Sequence, residues 1–252
     1  MPKTVDEWHQ RYMHQAQWTK GIANHIFQQI HLSSPSSALE VGCGTGASIL
    51  ELLLPHHLNS YGVDINPEYL SYAKKILPDS RLTQADAHQL PFENDSFDLC
   101  FCHFFLLWAV RPIQALSEMV RITRSGGVVI ALAEPDHGSR IDFPRELSIL
   151  GEWQSDSLLQ QGANPTLGRQ LRSLFSRCGL LDVHAGVLGG EWSSKYDHGE
   201  FMSEWDTLRS DLATDTDKSA LLPHLMEVDV KARKLGDRIL FVPTFYAWGR
   251  VP

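Results

Sequence analysis

The run Leu39-Glu40-Val41-Gly42-Cys43-Gly44-Thr45-Gly46 joins an acid to three glycines spaced two apart. An apolar strand pattern leads into it and a helical pattern follows. Glycine in such a turn reaches positive φ and lets bare backbone approach a ligand. A strand, glycine turn and helix in this order place a nucleotide-like molecule across the carboxyl end of a parallel sheet. Two chemistries share that geometry. Gly42, Gly44 and Ala47 satisfy the dinucleotide pattern G-x-G-x-x-G/A, which would serve a dehydrogenase. Glu40 and Gly46 point elsewhere, because a carboxylate this close to the turn repels a pyrophosphate and suits a ligand with a cationic amino acid end. A glycine turn that binds nothing is the plain structural alternative.

Two further acids end predicted strands. Asp64 lies 18 residues beyond Gly46, where a carboxylate can accept both hydroxyls of a ribose. That role argues against a 2′-phosphate ligand. Asp64-Ile65-Asn66-Pro67 is also good turn and cap chemistry. Asp86, followed by Ala87, ends the third strand, and a simple helix cap is its structural alternative.

Four segments in order carry a family resemblance. They are the glycine run, Asp64, Asp86 with Pro91-Phe92-Glu93-Asn94-Asp95-Ser96-Phe97-Asp98 after it, and a helix ending Arg121-Ile122-Thr123 that leads into Ser125-Gly126-Gly127. Over about residues 36–134 the chain resembles the class I S-adenosylmethionine-dependent methyltransferases, in their small-molecule branch. Beyond Glu134 only general architecture is shared. The resemblance implies S-adenosyl-L-methionine as cofactor. Glu40, Gly42, Cys43, Gly44 and Gly46 would cradle its methionine end, Asp64 would hold the ribose, Asp86 with Ala87 would read the adenine, and Ile65 would be a further cofactor-binding residue.

The dehydrogenase reading loses ground because no Tyr has a Lys four positions on and no zinc ligand set can be assembled. Methyl transfer from a sulfonium is an in-line displacement in which the protein mainly orients the partners. A general base is needed only for a nucleophile protonated at neutral pH. His103, after the fourth strand, is the candidate base, or else contacts the methionine end of the cofactor. Phe104, Trp108, Glu134 and Asp136 are the candidate acceptor-binding residues. The missing Asn/Asp-Pro-Pro-Tyr/Phe motif argues against methylation of DNA bases or glutamine amides. No metal is expected, since the Asp-Asn pair of catechol-type enzymes is missing and Asp136 and Asp142 alone make a poor ligand set. The aromatics Phe143, Trp153, Trp192 and Trp205 suit a planar or apolar substrate as a group, and core packing singly. Tyr12, Gln17 and Trp18 are placed to close over the methionine end.

The elements needed to position these residues are legible as alternating strands and helices. Strands are predicted at 38–43, 60–65, 82–85, 97–103 and 127–133, and helices at 47–54, from Pro67 and at 113–122. Such βαβ alternation implies a parallel, doubly wound Rossmann-like sheet. A helix at 169–178 closed by Gly179, and strands at 181–188 and 239–248 with the last antiparallel, complete the α/β fold. Inserts at 142–161 and 198–236 form a helical lid. One domain is expected over 1–252, with an N-terminal helical cap at 1–35, a cofactor core at 36–134 and a substrate-side half at 135–252.

The chain has 252 residues and a formal charge of −8 with no basic run, which argues against nucleic acid as the main partner. No apolar stretch approaches 18 residues and the N-terminus lacks a signal-like segment, so no membrane partner and a cytoplasmic location are expected. The four cysteines lack C-x-x-C spacing, as fits reduced thiols. A small-molecule substrate is the expected partner, with room for a homo-oligomer. A protein-directed methyltransferase and a cofactor-binding scaffold without turnover are the alternatives.

Overall fold

The computed structural model describes residues 4–30, 36–189, 198–213 and 215–252. Trp192 lies outside them. The chain forms two compact units. The first takes residues 3–134, 167–188 and 244–252, and the second residues 135–166 and 189–243.

The first unit is built on a seven-stranded sheet of order β3-β2-β1-β4-β5-β9-β7. Its strands are β1 (Ser37–Val41), β2 (Asn59–Asp64), β3 (Arg81–Gln84), β4 (Phe97–Cys102), β5 (Thr123–Pro135), β7 (Leu181–Leu188) and β9 (Thr244–Arg250). The pairs β1/β2, β2/β3, β1/β4 and β4/β5 are parallel, whereas β7/β9 is antiparallel. This is the α/β Rossmann-like fold expected from the alternation, with the antiparallel last strand in place. All six residues of β4 are buried, as befits a strand covered on both faces. The strand order reverses between β1 and β4, so the carboxyl ends of these two strands open the crevice where ligands of such sheets bind.

Helix α1 (Val5–Ile30) begins at a capping box. The Thr4 N–H donates to Glu7 Oε2 (2.7 Å), and the Glu7 N–H donates to Thr4 Oγ1 (3.3 Å). Its buried positions Ala16, Thr19, Ala23, Ile26 and Ile30 recur at three- and four-residue spacing, which is one helical stripe. Helix α2 (Pro67–Ile76) starts under the Asn66 side chain, which accepts from the Glu68 and Tyr69 amides. The helix expected at 47–54 is a π-type turn over Ile49–Leu53 followed by a 3-10 turn. Helices α3 (Pro112–Ile122) and α5 (Leu171–Arg177) complete the unit. Asp98 is structural: its Oδ2 accepts from the Ser37 amide (2.6 Å) and hydroxyl (2.9 Å), and its Oδ1 pairs with Arg124 (2.7 Å).

The second unit corrects the predicted strand at 239–248. Two strands occupy that span, because Pro243 has no N–H to continue a ladder. β8 (Ile239–Phe241) pairs antiparallel with β6 (Ile141–Phe143), and β9 belongs to the large sheet. The insert expected at 142–161 thus opens with a strand before its helix α4 (Ser148–Gln160). Helices α6 (His198–Asp211) and α7 (Thr216–Leu235) follow, and α7 is closed by Gly236 at φ 76°. Trp153 and Trp205 are buried with Leu147, Phe201 and Leu225 in this unit's core, whereas Phe143 is exposed.

Candidate cofactor site

The glycine turn is folded by a shared acceptor. The amides of Gly42 and Cys43 both donate to the Val63 carbonyl at 2.9 Å, which swings the chain off β1 toward β2. Gly42 holds φ 75°, and a Cβ there would stand 2.3 Å from Phe105 Cδ2. Only glycine therefore lets Phe105, from the segment after β4, lie against the turn. At Gly44 the room is shared with α1: a Cβ would stand 3.7 Å from the Tyr12 ring.

Glu40 lies on β1, fully buried. Its Oε1 accepts a short hydrogen bond from Ser48 Oγ, whereas its Oε2 has no hydrogen-bond partner. Burial pushes its carboxyl up to about 8, against the pull of the Ser48 hydroxyl, and the nearby Asp64 carboxylate adds to the rise. A buried carboxylate oxygen without a donor is costly unless a ligand supplies one. A cationic ammonium is the fitting donor.

Asp64 ends β2 with both oxygens aimed inward. Oδ2 accepts from the Gly44 amide (2.7 Å) and Oδ1 from the Asn66 amide (2.8 Å). Each carboxylate oxygen keeps a further lone pair for a ribose hydroxyl. Burial raises its pKa, opposed by the backbone amides of Asn66, Gly44 and Ile65. Ile65 beside it is 67 % exposed, an apolar surface open to a flat ring. Asp86 is exposed and accepts from the His88 amide (2.9 Å) and from His88 Nδ1 (2.6 Å). Those hydrogen bonds, the backbone one first, hold its carboxyl below the ordinary range. Ala87 is half-buried next to it.

The segment after β4 is held from two sides. Glu134, fully buried at the end of β5, accepts three successive amides: Phe105 (3.0 Å) and Leu106 (2.7 Å) at Oε1, and Leu107 (3.0 Å) at Oε2. Burial lifts its carboxyl to about 7 against these three donors. Both its oxygens thus serve the backbone. From the other side, Thr19 of α1 meets His103 at 2.9 Å, and the His103 ring stands edge-on to Phe104 at 4.9 Å. Burial lowers the His103 pKa to about 3, which makes it a feeble proton acceptor for acid–base work and leaves it a neutral hydrogen-bonding group. Trp108 is 45 % exposed and Asp136 is buried, its amide donating to the Pro243 carbonyl (2.8 Å).

Tyr12 is edge-on to Tyr69 (6.2 Å), and His9 Nδ1 meets Thr45 Oγ1 within the turn at 2.9 Å. Trp18 lies near Phe104 (6.4 Å between ring centres) and Gln17 is exposed. His9, Thr19, Thr45 and Ser48 escape a sequence reading. Only the helical stripe of α1 hinted that His9 and Thr19 face inward. Among the described residues no cluster of three or more His, Cys, Asp or Glu could hold a metal. Asp142 is committed to ion pairs with Arg140 (2.6 Å) and Arg238 (2.7 Å).

Residues 39–131 match the family described as methyltransferase domain. The phthiotriol/phenolphthiotriol dimycocerosates methyltransferase of Mycobacterium leprae is 35 % identical over 147 residues, 53 % of this chain and 47 % of that protein. The phosphatidylethanolamine N-methyltransferase of Cereibacter sphaeroides is 35 % identical over 98 residues, 36 % of this chain and 47 % of that one. The chain spans about half the length of the curated relatives it matches. A chain in the complex of the Haloferax volcanii Trm112 methyltransferase activator with a methyltransferase shares the fold. It superposes with a TM-score of 0.63 at 17 % identity, covering 100 % of this chain and 99 % of that one. Sequence motifs, fold and family match agree that residues 39–131 form a class I S-adenosylmethionine-dependent methyltransferase domain, and S-adenosylmethionine is that family's cofactor.

Proposed function

We propose that the chain transfers a methyl group from S-adenosylmethionine to a small-molecule acceptor by in-line displacement. The observation that carries this reading is the buried, unpartnered Oε2 of Glu40 beside the glycine turn, a carboxyl that an arriving ammonium can ionise and pair with and a pyrophosphate cannot. When bound, the cofactor supplies an electrophilic methyl group. The protein's part is to bind and orient. Glu40 receives the ammonium end, Gly42, Cys43, Gly44 and Gly46 give backbone against the methionine portion, Asp64 accepts from the ribose hydroxyls with Ile65 beside the adenine, and Asp86 with Ala87 reads the adenine edge. Glu134 fixes the segment that carries Phe104 and Trp108, whose apolar faces suit the body of the acceptor. The names of these relatives, one of them a phosphatidylethanolamine N-methyltransferase, support a small-molecule acceptor.

Reduced, mostly buried thiols suit a cytoplasmic location, and among the described residues no helix is long and apolar enough to cross a membrane.

Calorimetry against S-adenosylhomocysteine, with NAD as control, tests the reading. Micromolar binding of the first alone is expected, and binding of NAD instead would restore the dinucleotide reading of the same glycines. Turnover is then sought with a methyl-labelled donor and a panel of small-molecule acceptors. Within this scheme, Asp64→Ala should weaken S-adenosylhomocysteine by about 1–3 kcal/mol, the worth of hydroxyl donors left without their acceptor. An unchanged affinity in the same calorimeter would remove Asp64 from the ribose site.

A further inference from the structure

Thr19 is buried in the middle of α1 and its hydroxyl has three neighbours. Oγ1 lies 3.0 Å from the Gln15 carbonyl oxygen, 3.1 Å from that of Ala16 and 2.9 Å from His103 Nε2. A carbonyl oxygen can only accept, and two of them this close demand the hydroxyl's single proton. Were that proton turned to the histidine, three oxygens would face one another lone pair to lone pair. Oγ1 therefore presents a lone pair to Nε2, and Nε2 carries the imidazole proton. The ring is neutral, since burial lowers its pKa to about 3, so the proton on Nε2 leaves Nδ1 bare.

Nδ1 makes no hydrogen bond with a described residue, and His103 is only partly buried. Its place in the sheet says what that lone pair meets. Glu40 and Phe101 are register partners on β1 and β4, so His103 follows two residues past the level of Glu40, at the carboxyl edge where the strand order reverses. Glu40 Oε2, also without a donor, belongs to the same edge. Two acceptors with nothing to accept from, on neighbouring strand ends, define a receptor for a group rich in N–H.

We propose that Thr19 is a positioning residue that locks His103 as the Nε2–H tautomer, so that Nδ1 accepts a hydrogen bond from the ammonium group of the bound cofactor. This rests on the methyltransferase reading and adds to it the remote residue that sets the histidine's polarity. Helix α1 thereby enters the site's chemistry without touching the ligand at this point.

The tautomer is read by long-range proton–nitrogen correlation NMR on the full chain with ¹⁵N-labelled histidine. Wild type should show a protonated Nε2 and a bare Nδ1. S-adenosylhomocysteine should move the Nδ1 resonance, whereas 5′-methylthioadenosine, which lacks the amino acid end, should leave it in place. Thr19→Val should release the lock, giving a mixture of tautomers and weakening S-adenosylhomocysteine by about tenfold, one hydrogen bond's worth. Its binding of 5′-methylthioadenosine should not change. Thr19→Ser keeps the hydroxyl and should stay within about twofold of wild type on the same basis. A proton on Nδ1 in the wild type overturns the proposal, and so does bound S-adenosylhomocysteine that leaves Nδ1 unmoved. Both results come from the wild-type protein, so they stand even if the valine variant does not fold. Failure of S-adenosylhomocysteine to bind at all is seen by calorimetry beforehand and sinks the methyltransferase reading, while the tautomer is still decided by the spectrum.

Discussion

Replacing Asp229 by alanine should destabilise the second unit by about 3–5 kcal/mol, the range for removing one partner of a buried ion pair. Asp229 is 2 % exposed and collects three donors. Its Oδ2 accepts from Trp205 Nε1 (2.9 Å), and its Oδ1 accepts from Arg238 Nε (2.8 Å) and Arg233 Nε (3.1 Å). Arg238 continues to Asp142 (2.7 Å), which is gripped by Arg140, which reaches Gln154 (2.7 Å). One polar chain thus joins β6, α4, α6, α7 and the start of β8. Alanine would strand the Arg238 charge with half its compensation and leave the Trp205 N–H without an acceptor. Thermal denaturation should show a loss of at least about 6 °C. Asp206→Ala, which removes an exposed pair with Arg209, should move it by under about 1 kcal/mol. If the two variants melt alike, the network is an ornament of the surface kind. Calorimetry of Asp229→Ala with S-adenosylhomocysteine below the transition should match wild type, since every residue assigned to the cofactor belongs to the first unit.

The determinants that were readable in the sequence are local ones. Glycine at 42, 44 and 46, the Asn66-Pro67 cap and the alternation of strands with helices each act within a few residues, so they specify β1 to β5 and their order along the chain without knowledge of the rest. The doubly wound sheet followed from that alternation, whereas its strand order and switch point are seen only in the fold. What could not be read is long-range pairing. Thr19 and His103 are 84 residues apart, and Arg238 and Asp142 are 96 apart; no periodicity joins either pair. The small β6/β8 sheet escaped notice for the same reason, although Pro243 was a visible break in the strand expected at 239–248. An acid at a strand end makes Glu134 a candidate acceptor-binding residue. Only the fold reveals that three amides from a segment 27 to 29 residues earlier already claim its oxygens. Residue type and a place after the fourth strand make His103 a candidate base, but burial decides how basic an imidazole can be.

The affinity for S-adenosylhomocysteine should climb with pH, about tenfold per unit between pH 6 and 7, and level off near pH 8. The reason is Glu40. Its carboxyl, raised by burial to about 8, is mostly protonated at neutral pH before the ligand arrives, and must ionise to receive an ammonium. Binding therefore expels a proton, which calorimetry detects as a heat that varies with the buffer's ionisation enthalpy. At still higher pH the rise should reverse, once the ligand's own amino group, held up by the carboxylate beside it, loses its proton. The stability of the free protein runs the other way. A folded pKa above the unfolded one gives a contribution that is whole below about pH 4.5 and is lost as pH rises through about 8. S-adenosylhomocysteine should consequently raise Tm more at pH 8 than at pH 6. Glu40→Gln copies the protonated acid, so it should fold at least as well as wild type at pH 8, lose the rising limb and bind S-adenosylhomocysteine more weakly there by about 2–4 kcal/mol. 5′-Methylthioadenosine, with no ammonium to offer, should bind wild type and variant equally and show no such limb in either. A rising limb that survives in Glu40→Gln would assign the titration to another group and take the ammonium away from Glu40.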